Sequence, residues 1–386
     1  VKLKRVPEDF QVEELPTVSP ARQGRFTFYR LFKRGLGTPE ALEAVRRRWN
    51  LAASQISHGG MKDRHASTIQ YITVYDGLYQ SQHQTNLDLE PIGYLPHPYT
   101  SAHFRGNRFA IVLRDLSAQA ARHIEAACAP VEELGLPNYF DDQRFGSVGE
   151  SGDFAAEAWI KGDFERALWL AIAEHNPHDR PEGREEKDIV RELWPRWSEA
   201  KERLPRSHTR SIITYLVDHP DDFRGAFVRL NRTWRSLAFS AFQSHLWNIV
   251  LGKLLGNLAR PDQIHWFEFE SARLPIALAL DPTQRDEFAS WILPLPSARA
   301  PAPPGPLGDL TASLLDERGY DWKALRVKHM KDLFFSKGTR PARFAPQNLK
   351  WREEADELYP GRKKMSLNFE LGKGSYATIV VKRIML

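Results

Sequence analysis

With 386 residues, 42% apolar and 11% aromatic, the chain can bury two or three domain-sized cores, which excludes global disorder. Its 54 Lys and Arg against 49 Asp and Glu give a net charge of +5 and a pI near 9.1, permitting a polyanionic partner without requiring one. The single cysteine, Cys128, excludes an intrachain disulfide and fits a reducing compartment.

The opening segment VKLKRVPEDF lacks an apolar signal region, and no run approaches the roughly 20 apolar residues of a membrane span. A soluble, cytoplasmic protein without a membrane partner is expected. The 13 histidines are scattered and no CxxC pair occurs, so no metal site is expected.

In chain order, residues 26–33 (FTFYRLFK) are aromatic and apolar enough for a strand. Thr38-Pro39-Glu40 then reads as an N-cap, a first helical proline and a first-turn acid, opening a helix to about Trp49. Arg46, Arg47 and Arg48 near its end complement the helix dipole, although a phosphate contact would use the same residues. Gly59-Gly60 marks a turn, and residues 68–74 (TIQYITV) and 109–113 (FAIVL) read as strands. Ser117 can cap the Ala-rich helix that should bury Cys128. The first 150 residues therefore have an α+β pattern.

From about 150 to 210, Trp, Glu, Arg and Ala recur at helical spacing, and residues 234–255 form a long apolar helix. The Pro-rich residues 293–308 read as a surface excursion, not a joint between domains. Residues 367–371 and 376–385 (YATIVVKRIM) look like closing strands that rejoin the first sheet. The expected division is a discontinuous domain of 1–150 and 342–386, interrupted by an inserted domain of 151–341.

Four segments carry candidate chemistry. In residues 59–70 (GGMKDRHASTIQ), Asp63 lies between Lys62 and Arg64, and neighbouring cations favour an ionised, potentially nucleophilic carboxylate. On these residues alone, a charged triplet of this kind is usually a solvated surface loop. Residues 138–146 (NYFDDQRFG) combine rings to stack a base, an amide to read an edge and a guanidinium for phosphate; a turn with core aromatics would look the same. Residues 7–14 (PEDFQVEE) follow Lys2, Lys4 and Arg5. Residues 371–378 (LGKGSYAT) read as a hairpin turn.

Together with residues 241–248 (AFQSHLWN), these segments in this order resemble the TruD family of pseudouridine synthases, from residue 7 to 378. That family carries PEDFxVEE, GxKDxxAxTxQ, NYFGxQRFG, an AxQSxxFN-like helix and LPxGSYAT. Departures are Asp141 for Gly, Trp247 for Phe and Gly372 for Pro. The resemblance implies an α+β fold: a catalytic domain on a mixed, largely antiparallel sheet, with a helix-rich insertion. It implies that Asp63 attacks uridine at C1′ or C6, and that the base leaves through N1 and rejoins through C5. Lys4 would pair with Asp63, Phe140 would stack on the uracil, Asn138 would hydrogen-bond it, and Phe10 and Tyr376 would line the pocket. It further implies action on tRNA, at uridine 13 of the D-arm, with no cofactor or metal; a monomer is expected. Lys201, Arg203, Arg206 and Arg210 could contact phosphates or form an ordinary helix face. Two other readings use the same residues: an RNA-binding module without chemistry, and a hydrolase using Asp63 with His65.

Overall fold

Side chains along strand Phe26–Arg34 alternate between two faces of a sheet, and each face has its own apolar partners. Tyr29 and Leu31 pack with Ala41 and Val45 of helix Thr38–Arg48 and with Ile72, Val74 and Leu87. Phe28 turns the other way, onto Tyr71, Leu95, Tyr99 and Phe104. The sheet order is Gln347–Ala355, Lys363–Gly372, Phe104–Leu116, Phe10–Pro16, Ser67–Tyr75, Phe26–Arg34, Leu87–Leu95 and Gln82–Gln84, with Ile56–His58 also on Ser67–Tyr75. Phe10–Pro16 and Ser67–Tyr75 run parallel; the other pairs are antiparallel, giving the expected mixed α+β sheet.

The computed structural model describes residues 1–386, which part into two compact units: Val1–Leu136 with Phe344–Leu386, and Pro137–Arg343. The sequence reading set the first joint after residue 150. The units part fourteen residues earlier, between Leu136 and Pro137, so residues 138–146 fall in the second unit.

Helix Thr38–Arg48 starts at Thr38 with Gly37 as N-cap, one residue from the expected cap, and Arg46 and Arg47 both pair with Glu43. Ser117 caps helix Ala118–Leu134 through the Ala120 N–H. Cys128 is buried there, and burial pushes its thiol up to about 12.

The closing strand expected over 376–385 is a helix, Ala377–Ile384. Its β-branched residues favour a strand locally, yet Ala377, Val380, Val381 and Ile384 follow i, i+3, i+4, i+7 spacing and are buried. Packing against helix Ala118–Leu134 satisfies that stripe and overrides local propensity.

The second unit is helical around Arg232–Leu258, which buries Phe239, Phe242, Leu246 and Val250 in one large core with Trp159, Leu168, Ile212 and Phe227. It also holds a hairpin of Ile264–Phe269 and Ala272–Ala277. The Pro-rich run lies inside this unit, but only its middle is irregular. Ile292–Pro294 pairs with Thr339–Pro341, and helix Gly305–Glu317 begins with proline in its first turn.

Candidate active site

Asp63 sits on the loop before strand Ser67–Tyr75, and the loop is held from beneath by side chains distant in sequence. The Lys62 N–H donates to Thr38 Oγ1 at 2.9 Å, and Thr38 Oγ1 donates to Gln70 Oε1 at 2.8 Å. Lys33 is fully buried and donates to the carbonyls of Leu36, Lys62 and Asp63 at 2.6, 3.3 and 2.9 Å. Burial pushes its amine down to about 8, against the attraction of Asp63. Gly59 is needed for packing, because a Cβ there would lie 2.9 Å from the rings of Phe104 and Tyr99.

The two cations flanking Asp63 in sequence are engaged elsewhere. Lys62 Nζ lies 2.6 Å from Glu14, with both side chains buried, and Arg64 pairs with Glu40. Lys4 is the cation beside Asp63, at 3.3 Å, with the two side chains 32% and 30% exposed. That exposure leaves Asp63 reachable while its partner remains in place.

Lys4 owes its position to a clamp. Its backbone is left-handed, at φ 52°, which a residue with a Cβ adopts only when its surroundings compel it. Lys2 exchanges two backbone hydrogen bonds with Arg114 on one side. Buried Asp9 accepts from the N–H groups of Arg5 and Val6 on the other. Asp9 also pairs with Arg114 at 2.8 Å, joining both ends of the clamp. The Lys4 ammonium rests 4.2 Å from the centroid of the buried Phe10 ring, a cation–π contact. Lys4, Phe10 and Asp63 are thus brought together. Tyr376 stands half-buried at the N-cap of the last helix.

Asn138 and Phe140 form a cluster of their own in the second unit. Asn138 is buried, donates Nδ2–H to the Pro341 carbonyl at 3.0 Å, and accepts from Arg340 through both its carbonyl and Oδ1 at 2.7 Å. The Arg340 guanidinium therefore lies 4.2 Å from the centroid of the Phe140 ring and 5.3 Å from that of Trp247. Phe140 is half-buried and meets Trp247 in a T-shaped contact, centroids 5.6 Å apart. Asn248 holds the Phe140 backbone from both sides: Oδ1 accepts its N–H and Nδ2 donates to its carbonyl, each at 2.8 Å.

Residues 241–248 serve as the frame of this cluster. Gln243 bonds Pro296 and Ser336, and Ser244 accepts from Arg144 at 3.0 Å. Asn248 closes the 241–248 motif, although the motif assigned it no role of its own; Lys33, Arg114 and Arg340 carried no signal in the sequence.

The comparisons with known proteins agree along the whole chain. The family model for tRNA pseudouridine synthase D (TruD) matches residues 1–384. A Methanocaldococcus jannaschii protein assigned to the same enzyme is 30% identical over 399 residues, covering 100% of this chain and 92% of that one. A tRNA pseudouridine synthase D of Leptospira interrogans is 27% identical, covering 100% and 96%. The crystal structure of a TruD protein from Methanosarcina mazei superposes with a TM-score of 0.76 at 25% identity, over 99% and 93% of the two chains. No helix is long and apolar enough to cross a membrane. A mixed sheet that frames a lysine–aspartate pair and a match over nearly every residue lead to one assignment: this chain belongs to the TruD family of pseudouridine synthases, enzymes that isomerise uridine.

Proposed function

We propose that the chain converts uridine to pseudouridine in tRNA, at uridine 13 of the D-arm, with Asp63 as nucleophile. The observation that carries this reading is the 3.3 Å pairing of Lys4 with a partly accessible Asp63 on a loop tied down by Lys33 and Thr38. The ammonium aims the carboxylate, and a carboxylate positioned in this way can serve as a nucleophile. Attack by Asp63 at C1′ or C6 forms a transient carbon–oxygen bond, the C1′–N1 bond breaks, and the base rotates and bonds C1′ through C5. The bond to Asp63 breaks again, C5 loses its proton and N1 gains one, so the net change is an isomerisation that returns the carboxylate. The first unit is proposed as the catalytic domain and the second as the family's insertion, working in the cytoplasm.

Phe140 and Asn138 are assigned to uracil binding on their motif. Within that assignment, Asn138 is better suited to fix Arg340 against the ring than to read a base edge, since its amide is already bonded on both sides. Phe10 supports Lys4 from below, and Tyr376 is proposed to line the pocket.

The energetics require a wide RNA contact. Extruding a uridine costs a few kcal/mol, and one aromatic stack returns about 1–3 kcal/mol. The remainder has to come from phosphate contacts.

The test is Asp63→Asn, which keeps shape and removes the charge. Wild type should release tritium from C5-labelled uridine in a tRNA transcript and leave a pseudouridine at position 13. The variant should bind the transcript and release none. Tritium release at the wild-type rate by Asp63→Asn sinks the nucleophile assignment, and mapping at another position corrects the substrate site.

A further inference from the structure

The second unit has a cationic pocket that the reaction above does not use, and the geometry points to it as a phosphate-binding subsite for the RNA substrate. The pocket, of about 240 Å³, is lined by Lys161, Arg326, Lys328 and His329 over a floor that includes Trp159 and Phe164. No carboxylate lines it. Lys161 is shared with Glu157 at 3.3 Å, whereas Arg326, Lys328 and His329 are exposed and no ion pair engages them among the described residues.

The surrounding segment explains the charge surplus. From Lys323 to Lys337 the chain has five Lys and Arg, namely Lys323, Arg326, Lys328, Lys331 and Lys337, and one acid, Asp332. Asp332 is taken up by Arg235, which grips it through two nitrogens at 3.2 and 3.0 Å. The acid that could have neutralised the run is thus spent inward, and the cations face outward.

The shape is built. Trp159 is buried, and its Nε1–H donates to the Lys328 carbonyl at 3.1 Å, fixing the loop that presents Arg326 and Lys328. Phe164 packs on Trp159 with centroids 4.7 Å apart and meets His329 edge-on at 6.3 Å. His329 is left-handed, at φ 68°, a strained conformation for a residue with a Cβ. Small-molecule sites usually enclose roughly 300–1,000 Å³, so this pocket fits one group of a polymer better than a free cofactor. Cations without counter-ions beside aromatic rings suit a phosphate with its ribose or base.

This inference rests on the tRNA reading, and its test separates the two. In the whole chain, Arg326→Ala/Lys328→Ala is compared with Arg180→Ala/Arg191→Ala, two exposed residues outside the pocket that remove equal charge elsewhere in the same unit. Transcript binding is measured across a salt series, with KM, kcat and thermal melting alongside. Expected for the pocket double are an unchanged melt and kcat, a KM higher on the order of tenfold, and a log Kd–log salt slope shallower by about 1.5, the worth of two phosphates. The control double should change less. An unchanged slope, or equal losses in both doubles, overturns the pocket as a site. So does a phosphate-dependent thermal shift lost in the pocket double while tRNA binding stays intact, because the ligand is then a free anion. Should wild type make no pseudouridine, the proposed reaction falls, but the binding slope still decides the pocket.

Discussion

Lys33 donates a hydrogen bond to the main-chain carbonyl of Asp63 at 2.9 Å, so a buried amine from a neighbouring strand sets the height of the proposed nucleophile. It serves three carbonyls and, once neutral, has only two N–H groups to offer. Pseudouridine formation should therefore decline above about pH 8, the value to which burial lowers this amine. Lys33→Met should be slower by about 10²-fold, as for a misplaced reacting group, and lack that decline. A rate–pH profile of both proteins checks this. Stability moves oppositely. The native value lies below the ordinary 10.5, so the folded chain binds fewer protons between about pH 8 and 10.5. The burial penalty of Lys33 is full below that window and is relieved as pH rises through it.

Glu14 and Lys62 form a buried pair, and Glu14 also accepts from the Tyr71 N–H and the Tyr99 hydroxyl. Burial and this carboxylate hold the Tyr99 hydroxyl well above its usual range. Glu14→Gln leaves Lys62 without its counter-charge and should cost about 3–5 kcal/mol, read by denaturant unfolding. Lys4→Ala should show the converse. Its pair with Asp63 is about a third exposed and worth at most about 1 kcal/mol, so melting should hold while turnover collapses.

Asn248→Leu removes both bonds to the Phe140 backbone. Each buried group left unpaired should cost about 1–3 kcal/mol, and Phe140 should lose its fixed seat against Trp247. The expected result is a lower melting temperature together with a raised KM for tRNA. A change in melting alone would place Phe140 in the core and not in the binding surface.

His245 supplies a prediction for acid. It is buried on Phe154, and Arg318 donates to its Nε2 at 2.7 Å. Burial, followed by the charge of Arg318, pushes the imidazole down to about 3. Because the folded value is below the ordinary 6.5, stability should fall as pH drops from about 6.5 toward 3, at up to about 1.4 kcal/mol per pH unit. His245→Gln keeps an acceptor for Arg318 and should flatten this slope in unfolding curves.

Much of the sheet is legible in the sequence because its strands are dense in aromatic and β-branched residues, as in Phe26–Arg34 and Ser67–Tyr75. The final helix is not, since only its neighbour shows which face of the segment is buried. The pairing of Lys4 with Asp63 is legible through the family resemblance alone. Composition would have paired Asp63 with Lys62 and Arg64, which face Glu14 and Glu40. Lys33 and Arg340 escaped notice because their partners are main-chain carbonyls, which every residue has and no motif marks. Asn138 looked like a base reader because a free amide and an occupied one are spelled alike.

Strand Lys363–Gly372 lies between Gln347–Ala355 and Phe104–Leu116, so late-made residues cover the flank of an early-made strand. During synthesis, the hydrogen-bonding edge of Phe104–Leu116 stays bare until the entire helical middle has emerged. The protein therefore spends its nascent life with an open sheet. Ribosome pausing near the end of the message should expose it to aggregation or chaperone capture more than pausing earlier, before that edge exists.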